Sequence, residues 1–468
     1  MPAPTQLFLQ CVKGLAISNE VASQDLVLKD LAAWLSYIES LHPKSIAMGL
    51  DRVSQMISRL KLQPKFAIIT VAGTNGKGST CAMLEQMYVQ AGYRVGCYTS
   101  PHLLRYNERV RVNAEPARDD MLCRAFAVVE QARQCEPLIA LTYFEVGTLA
   151  AIWHFMQAGV ELAVLEVGLG GRLDAVNAFE PSCTVVTSID LDHQEFLGHT
   201  REAVGFEKAG IFRQAVPAIC GDINPPASLV NQAIKVGAKL KRLGQDFAVL
   251  AQKDTWQYQT QNKTLYTLPM PALRGLYQLN NAACAVAAVQ ALQARLPVAL
   301  DAMAKAMRQL SLAGRFQIIS PQPSGSASFK LILDVAHNPH AAHALAANLR
   351  AMKVQQGQPI GKTYAVFAML ADKDRMGVID AVKDQIDAWY VADIAHARGA
   401  LAEDLAGLIK QAITKPAIKT FAGADNAYIQ ACIDIEACMD ANENDKIIVF
   451  GSFFTVASVM QLLPNSAV

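Results

Sequence analysis

The sequence lacks long apolar runs, paired cysteines and any excess of one charge. No stretch of about 18 uncharged apolar residues occurs, so we expect no membrane-spanning helix. The 42 Lys and Arg residues nearly balance the 41 Asp and Glu residues, and a net charge of +1 offers no basic field for nucleic acid or an anionic membrane. The ten cysteines contain no C-x-x-C pair, which favours a reducing cytoplasm over a disulfide-stabilised secreted fold.

Internal repeats and low-complexity tracts are also missing, as is a charged N-terminal segment followed by an apolar run and a cleavage site. We therefore expect no signal peptide. With 468 residues, of which 52% are hydrophobic, the chain is too long for one core, and we expect two domains. Residues 1–25 carry no pattern that assigns them to either domain, so we treat them as an N-terminal extension.

Residues 66–80 carry the strongest local signal, a short apolar strand followed by a glycine-rich loop and a helix that begins at Ser79. Three glycines let the loop aim backbone N–H groups at an anion, and Lys77 and the helix N-terminus add positive charge. The spacing is unusual for a phosphate loop, because Val71 stands where the first glycine is expected and Gly78 separates the lysine from the serine. The pattern predicts a cradle for a nucleoside triphosphate.

Short apolar runs alternate with helical patterns along most of the chain. The predicted strands include residues 66–72, 93–99, 162–167, 183–189, 331–335, 364–369, 388–392 and 447–450. Such alternation indicates an α/β fold with parallel sheets covered on both faces. We expect an N-terminal P-loop ATPase domain over residues 26–312, with a small antiparallel excursion at 245–270. A smaller, doubly wound α/β domain is expected over residues 313–468.

Polar residues follow several of these strands, at the edge where open α/β sheets bind ligands. Ser100, Glu166 and His193 each stand at a different strand end. Mg²⁺ takes few protein ligands and keeps phosphate oxygens and waters, so a hydroxyl, a carboxylate and an imidazole suit it. The alternative for Glu166 is a structural ion pair with Arg172. A dinucleotide fingerprint at residues 168–173 is excluded, since Leu173 stands where the third glycine is required.

Eight motifs occur in order between about residues 30 and 460, at residues 73–79, 99–109, 141–145, 165–175, 207–211, 314–317, 334–339 and 451–453. Together they resemble the folylpolyglutamate synthase family of the Mur ligase superfamily, and more closely its bacterial bifunctional branch with dihydrofolate synthase activity. The resemblance implies an ATP-dependent ligase that adds L-glutamate to 7,8-dihydropteroate and to reduced folates through an acyl phosphate.

The resemblance also implies roles for individual residues. Lys208, which composition alone assigns to a solvated helix face, matches a carbamylated lysine that helps to hold a second Mg²⁺ ion, the first ion being bound by Ser100, Glu166 and His193. Catalytic roles are implied for Lys77, Lys208 and His337. The implied ATP-binding positions are Thr74, Asn75, Gly76, Lys77, Gly78, Ser79, Asn281, Arg315 and Asp334, with Asn280 as a rival to Asn281. The implied dihydropteroate pocket comprises Ile46, Ala47, Met48, Thr142, Tyr143, Phe144, Glu145 and Leu173, and His337 and Ser452 are candidates for the incoming glutamate.

Two other interpretations remain at this point. A Mur-type ligase for cell-wall precursors shares the phosphate loop, although residues 141–145 and 334–339 look folate-type. A non-catalytic nucleotide-binding regulator needs the loop but not Glu166, His193 and Lys208 together. The ligase hypothesis implies small-molecule substrates only, no nucleic-acid or membrane partner, and a monomer in the cytoplasm.

Overall fold

The computed structural model describes residues 28, 30–44, 46–260, 265–319, 329–353, 361–438 and 442–464. The predicted N-terminal extension over residues 1–25 lies outside this part of the chain. Within it, no helix has the length and apolar character needed to cross a membrane.

The first sheet contains eight strands. They are β1 (Ala67–Ala72), β2 (Val95–Tyr98), β3 (Val110–Val112), β4 (Glu115–Pro116), β5 (Leu162–Glu166), β6 (Cys183–Val186), β7 (Pro217–Cys220) and β8 (Lys239–Arg242). Their order across the sheet is β4-β3-β2-β5-β1-β6-β7-β8. All neighbours run parallel except where β3 pairs with β2 and with β4. The predicted parallel sheet is therefore confirmed, with an antiparallel edge.

Helices cover both faces of this sheet. They are α1 (Leu31–Ser40), α2 (Asp51–Leu60), α3 (Lys77–Gln90), α4 (Asp119–Gln134), α5 (Tyr143–Ala158), α6 (Gln194–Leu197), α7 (Arg201–Ala209), α8 (Ala227–Val236), α9 (Leu276–Leu292) and α10 (Leu300–Gln309), with 3₁₀ turns at Tyr106–Arg109 and Ala175–Ala178. Successive residues of β1 face opposite cores, because Ile68 belongs to the core that includes residues of α1, α2, α4 and α5, while Ile69 belongs to the core that includes residues of α3, α9 and α10. This two-sided burial explains why the strands are uniformly apolar.

A small antiparallel sheet follows, as predicted for residues 245–270. It consists of β9 (Phe247–Ala251), β10 (Thr255–Thr260) and β11 (Leu265–Pro269), with β10 in the centre. Alternate residues of β10, Trp256 and Tyr258, are buried in the core beneath α3 and α9.

The last sheet has six strands, β12 (Gln317–Ile319), β13 (Lys330–Leu333), β14 (Thr363–Phe367), β15 (Ala388–Ala392), β16 (Ala417–Phe421) and β17 (Lys446–Phe450). Its order is β12-β13-β17-β14-β15-β16, and only β12 is antiparallel. The helices are α11 (Pro339–Lys353), α12 (Arg375–Val382), α13 (Ala402–Ala412), α14 (Ala424–Glu436) and α15 (Phe453–Met460), with a 3₁₀ turn at Lys383–Gln385. Phe367 packs with α11–α13 and Val366 with α14 and α15, so helices cover both faces and the doubly wound prediction is confirmed.

Several predicted boundaries differ from the structure by two or three residues, and two of these differences lie at the phosphate loop. The helix after the phosphate loop begins at Lys77 rather than at Ser79, because Gly76 at its N-cap adopts φ 84° and turns the chain two residues earlier. The strand predicted over residues 183–189 ends at Val186. Thr187, Ser188 and Asp190 follow the strand and hydrogen-bond to the phosphate loop instead.

Candidate active site

The glycine-rich loop after β1 has the backbone geometry of an anion cradle. Gly73 and Gly76 have φ values of 148° and 84°, which side-chain-bearing residues rarely adopt. A Cβ at Gly73 would also collide with the hydroxyl of Thr187. Lys77 folds over the loop, where its Nζ donates to the carbonyl oxygens of Gly73 at 3.0 Å and Thr74 at 3.1 Å.

The segment after β6 braces this loop. The Thr74 amide donates to the Ser188 carbonyl at 2.8 Å, and the Thr74 hydroxyl donates to the Asp190 carbonyl at 2.9 Å. The Thr187 hydroxyl donates to the backbone carbonyl of Asn75 at 2.6 Å, and the backbone N–H of Asn75 donates to the Ser188 hydroxyl at 3.1 Å. Because these bonds use only protein groups, the cradle is held in shape by the fold itself.

A cavity of about 460 Å³ opens beside the cradle, between the elements of the first and last sheets. Six of the predicted ATP positions line it: Asn75, Gly76, Ser79, Asn281, Arg315 and Asp334. Its volume falls in the range of small-molecule sites. Thr74 belongs to the adjoining loop, and Lys77 and Gly78 form the start of α3. The ATP-binding roles of all nine residues stay predictions, but the fold does bring them to one place.

Sequence reasoning missed several residues of the same cavity wall. Asp222 follows β7, a four-residue strand that was not predicted. Tyr277 lies four residues before Asn281 in α9, and His340 directly follows the motif at residues 334–339. The rings of Tyr277 and His340 make an edge-on contact with centroids 5.0 Å apart. The sequence signal for Asp222 is its place just after the carboxyl end of β7, at the sheet edge where ligands bind.

The cavity distinguishes the two rival asparagines. Asn281 is 7% exposed, its Nδ2 donates to Gln278 Oε1 at 3.1 Å, and its side-chain oxygen lies against Gly76 of the cradle. Asn280 also lines the cavity, but the three atoms nearest to a Cβ built at Gly76 all belong to Asn281.

We therefore expect Asn281→Ala to raise the KM for ATP by about tenfold, the cost of roughly one hydrogen bond to a bound group. Asn280→Ala should raise it less, because it leaves the contact with the cradle intact. Initial-rate measurements over a range of ATP concentrations compare the two variants. A larger effect at Asn280 would transfer the nucleotide role to that residue.

The predicted metal ligands lie at the edge of the cradle. The buried Glu166 carboxylate accepts a hydrogen bond from the Ser100 amide at 3.1 Å. Burial raises the pKa of Glu166, although the charge of Lys77 opposes the rise. A Cβ at Gly78 would lie 3.8 Å from Glu166 Oε2 and 3.6 Å from Arg315 Nη2, so both side chains flank the loop. The alternative pairing with Arg172 is wrong, because Arg172 pairs with Glu207 at 2.9 Å.

The third predicted ligand, His193, adopts φ 48° at the N-terminus of α6. Burial lowers its pKa to about 4, which leaves a neutral imidazole as metal ligation requires. A hydroxyl, a carboxylate and an imidazole fit Mg²⁺ as hard donors. Among the described residues, no group of three His, Cys, Asp or Glu side chains forms a ready cage, so phosphate oxygens and waters would complete the shell.

Lys208 lies in α7 and is only 3% exposed, which rules out the solvated position that composition favoured. Neither a side-chain hydrogen bond nor an ion pair partners its amine within the described ranges. Burial lowers the pKa of Lys208 to about 7, and the nearby charge of Lys77 contributes. Much of this amine is therefore neutral, and hence nucleophilic, near neutral pH.

The predicted dihydropteroate residues lie next to one another. Arg52 connects two of their segments, since its Nη2 donates to the Ala47 carbonyl at 2.6 Å and its Nε donates to Glu145 at 3.1 Å. The Gly49 amide bonds the Leu173 carbonyl at 3.3 Å. Glu145 also accepts from the Thr142 amide at 2.7 Å, so its carboxylate is already occupied in shaping the pocket.

The last sheet contributes a polar cluster that reaches the phosphate loop. Asn338 and Asn75 exchange two side-chain amide hydrogen bonds of 3.1 Å. Asp192 accepts from Lys373 at 2.6 Å and lies 3.6 Å from His337 Nε2. Although burial opposes ionisation, His337 and Lys373 hold the pKa of Asp192 well below its usual range.

Ser452 has a structural contact of its own. Its hydroxyl caps α15, accepting from the Thr455 amide at 3.0 Å. The predicted glutamate-binding role of Ser452 therefore has to be compatible with this cap.

Comparisons with known proteins agree with this geometry. Residues 71–289 match the Mur ligase middle domain, and residues 314–453 match the Mur ligase glutamate ligase domain. The dihydrofolate synthase/folylpolyglutamate synthase of Escherichia coli K12 is 43% identical over 92% of this chain and 95% of its own length.

Solved structures are similar over nearly the whole chain. E. coli FolC in complex with DHPP and ADP superposes with a TM-score of 0.84 at 41% identity, covering 94% of this chain and 99% of that one. A bifunctional folylpolyglutamate synthase/dihydrofolate synthase with Mn, AMPPNP and L-glutamate bound has a TM-score of 0.81, also at 41% identity and the same coverage. These relatives are folate enzymes rather than cell-wall ligases. The chain therefore belongs to the dihydrofolate synthase/folylpolyglutamate synthase family of Mur ligases.

Proposed function

We propose that this chain is an ATP-dependent ligase that joins L-glutamate to 7,8-dihydropteroate, giving dihydrofolate, and to reduced folates, giving folylpolyglutamates. The observation that carries the proposal is the contact between Asn75 and Asn338, which joins the phosphate loop to the segment that bears His337. ATP, the acceptor and glutamate then meet at one cleft, as a ligase that handles an activated acyl group requires.

The first chemical step is phosphoryl transfer. A carboxylate oxygen of the acceptor attacks the γ-phosphorus of ATP, the bond to the β-phosphate oxygen breaks, and an acyl phosphate and ADP result. Lys77 stabilises the charge on the transferred oxygens, and the loop amides hold the phosphates in line. Mg²⁺ bound by Ser100, Glu166 and His193 would neutralise phosphate charge.

The second step forms the amide. The amine nitrogen of glutamate attacks the acyl carbon, inorganic phosphate leaves, and the amine loses a proton. We assign acceptance of that proton to Nε2 of His337, because Nδ1 lies 2.9 Å from the Val335 carbonyl and donates to it. Nε2 lies 3.6 Å from the Asp192 carboxylate, whose charge stabilises the imidazolium that results. Ser452 is proposed to orient the glutamate through the start of α15.

Lys208 is proposed to carry a carbamate and to help hold a second metal ion. Its buried amine has no hydrogen-bond or ion-pair partner among the described residues, and burial lowers its pKa to about 7, so part of it is the neutral amine that reacts with carbon dioxide. The nitrogen attacks carbon dioxide, a proton is released, and a carboxylate terminates the side chain.

The domain limits of 26–312 and 313–468, with an extension over 1–25, remain our proposal. We also propose that the chain acts as a monomer in the cytoplasm, without nucleic-acid or membrane partners.

The deciding experiment measures glutamate-dependent ADP release with Mg-ATP, comparing 7,8-dihydropteroate, tetrahydrofolate and a UDP-muramoyl peptide as acceptors. We expect turnover with the first two only. Turnover with tetrahydrofolate alone would reduce the enzyme to a polyglutamylase and refute residues 142–145 as a pteroate pocket. Turnover with the muramoyl peptide would instead support a ligase for cell-wall precursors.

A further inference from the structure

Arg109 has no acidic partner, unlike the arginines around it. It ends the 3₁₀ turn Tyr106–Arg109, and it forms no ion pair with any residue that the structure describes. Three neighbouring arginines each face a carboxylate, in the pairs Arg52–Glu145, Arg105–Asp119 and Arg111–Glu85. An unpaired guanidinium in a partly enclosed position is costly unless it binds an anion.

Neutral and aromatic groups hold Arg109 in place. Its Nε donates to His102 Nδ1 at 2.8 Å. Because an arginine nitrogen only donates, His102 must accept with a lone pair and therefore brings no negative charge. The guanidinium carbon lies 5.3 Å from the Tyr106 ring centroid and 5.4 Å from that of Tyr143. This packing orients the guanidinium group, a two-pronged fork of donors, without using its two terminal nitrogens. Neither terminal nitrogen has a protein hydrogen-bond partner among the described residues.

The position of Arg109 connects the two ends of the acceptor site. Its carbonyl accepts from the Thr99 amide at 2.9 Å, next to Ser100, whose amide bonds Glu166 at the phosphate-transfer edge. Its side chain rests on Tyr143, which belongs to the proposed dihydropteroate pocket. A free bidentate fork at this point suits a carboxylate close to, but distinct from, the carboxylate that reacts.

We propose that Arg109 binds the unreacted carboxylate on the terminal glutamyl residue of folate acceptors and so sets the affinity for them. The inference rests on the proposed function and concerns its second substrate. A folate acceptor ends in a glutamyl residue with two carboxylates, of which one is activated and one remains charged. Dihydropteroate has a single carboxylate, which is the one activated, so it leaves the Arg109 fork unused.

The test is the Arg109→Gln variant of the full chain, with KM and kcat measured separately for tetrahydrofolate and dihydropteroate. We expect the KM for tetrahydrofolate to rise roughly ten- to hundredfold, the effect of losing a charge-assisted pair. The KM for dihydropteroate should change by less than about twofold, which also shows that the variant is folded. Arg109→Lys keeps the charge without the fork and should fall between the two.

Arg105→Gln is the matched control, because it removes a neighbouring arginine that pairs with Asp119 on the surface. It should leave both KM values unchanged. Calorimetric titration of tetrahydrofolate and pteroic acid into each variant gives the same comparison without turnover. Equal weakening of both acceptors, or of neither, would overturn the role of Arg109. If the wild-type chain shows no glutamate-dependent turnover, the proposed function fails, and the calorimetric comparison still decides whether Arg109 selects the extra carboxylate.

Discussion

Replacing Lys77 with alanine is expected to lower kcat for glutamate-dependent ADP release by about three orders of magnitude, or roughly 4 kcal/mol of transition-state stabilisation. The physical reason is that Lys77 is the cation of the phosphate loop, with its amine 3.0 and 3.1 Å from two loop carbonyls. Charge on the transferred phosphoryl oxygens grows in the transition state, so the loss falls mainly on kcat. Steady-state rates with saturating dihydropteroate and glutamate measure it.

Two controls separate chemistry from folding. Lys77→Met keeps most of the side-chain length without the charge and should lose as much activity as Lys77→Ala. Lys235→Ala removes an exposed lysine of α8 and should leave kcat within about twofold. Urea midpoints of all three variants should match that of the wild type within error. Near-normal turnover of Lys77→Met would contradict the assignment of this loop to phosphoryl transfer.

The phosphate loop and its strand were predictable because their signals are local. An uninterrupted apolar run marks a strand buried on both faces, and glycines mark a backbone that must turn. Helix α3 begins two residues before Ser79, where the sequence predicted its start, because Gly76 occupies the N-cap with a left-handed backbone. Strand β16 was missed for the opposite reason. Its residues are largely exposed at the sheet edge and so lack an apolar run.

Contacts between distant segments were not predictable from the letters. Asp192 and Lys373 lie 181 residues apart, and nothing in either segment indicates that they pair at 2.6 Å. The Glu166–Arg172 alternative failed in the same way, because a short spacing suggested a partner that the fold turns towards Glu207. Site residues at strand ends were predictable because the carboxyl ends of parallel strands meet at one edge of the sheet. Tyr277 and His340 line the cavity from helices, and no comparable rule predicts which helical residues face a ligand.

As a carbamate, Lys208 would carry a negative charge, whereas an unmodified lysine is neutral or positively charged. Lys208→Met and Lys208→Arg should both lower kcat by about a hundredfold, the scale seen when support for a metal site is lost. Methionine keeps the apolar stem in its buried position, and arginine keeps the positive charge, but neither forms a carbamate. Steady-state rates at saturating ATP give the comparison, with urea midpoints to confirm folding.

A measurement without turnover distinguishes the carbamate from a merely buried lysine. Wild-type protein equilibrated with ¹³C-bicarbonate should show one protein-bound carbamate carbon by NMR, and both Lys208 variants should lack it. Removal of carbon dioxide from the buffer should lower the wild-type rate, and bicarbonate should restore it. Full activity in Lys208→Arg would show that a cation serves at this position, and no carbamate would then be needed. Absence of the carbamate signal from the wild-type protein would refute the carbamate and leave Lys208 as a buried, largely neutral amine.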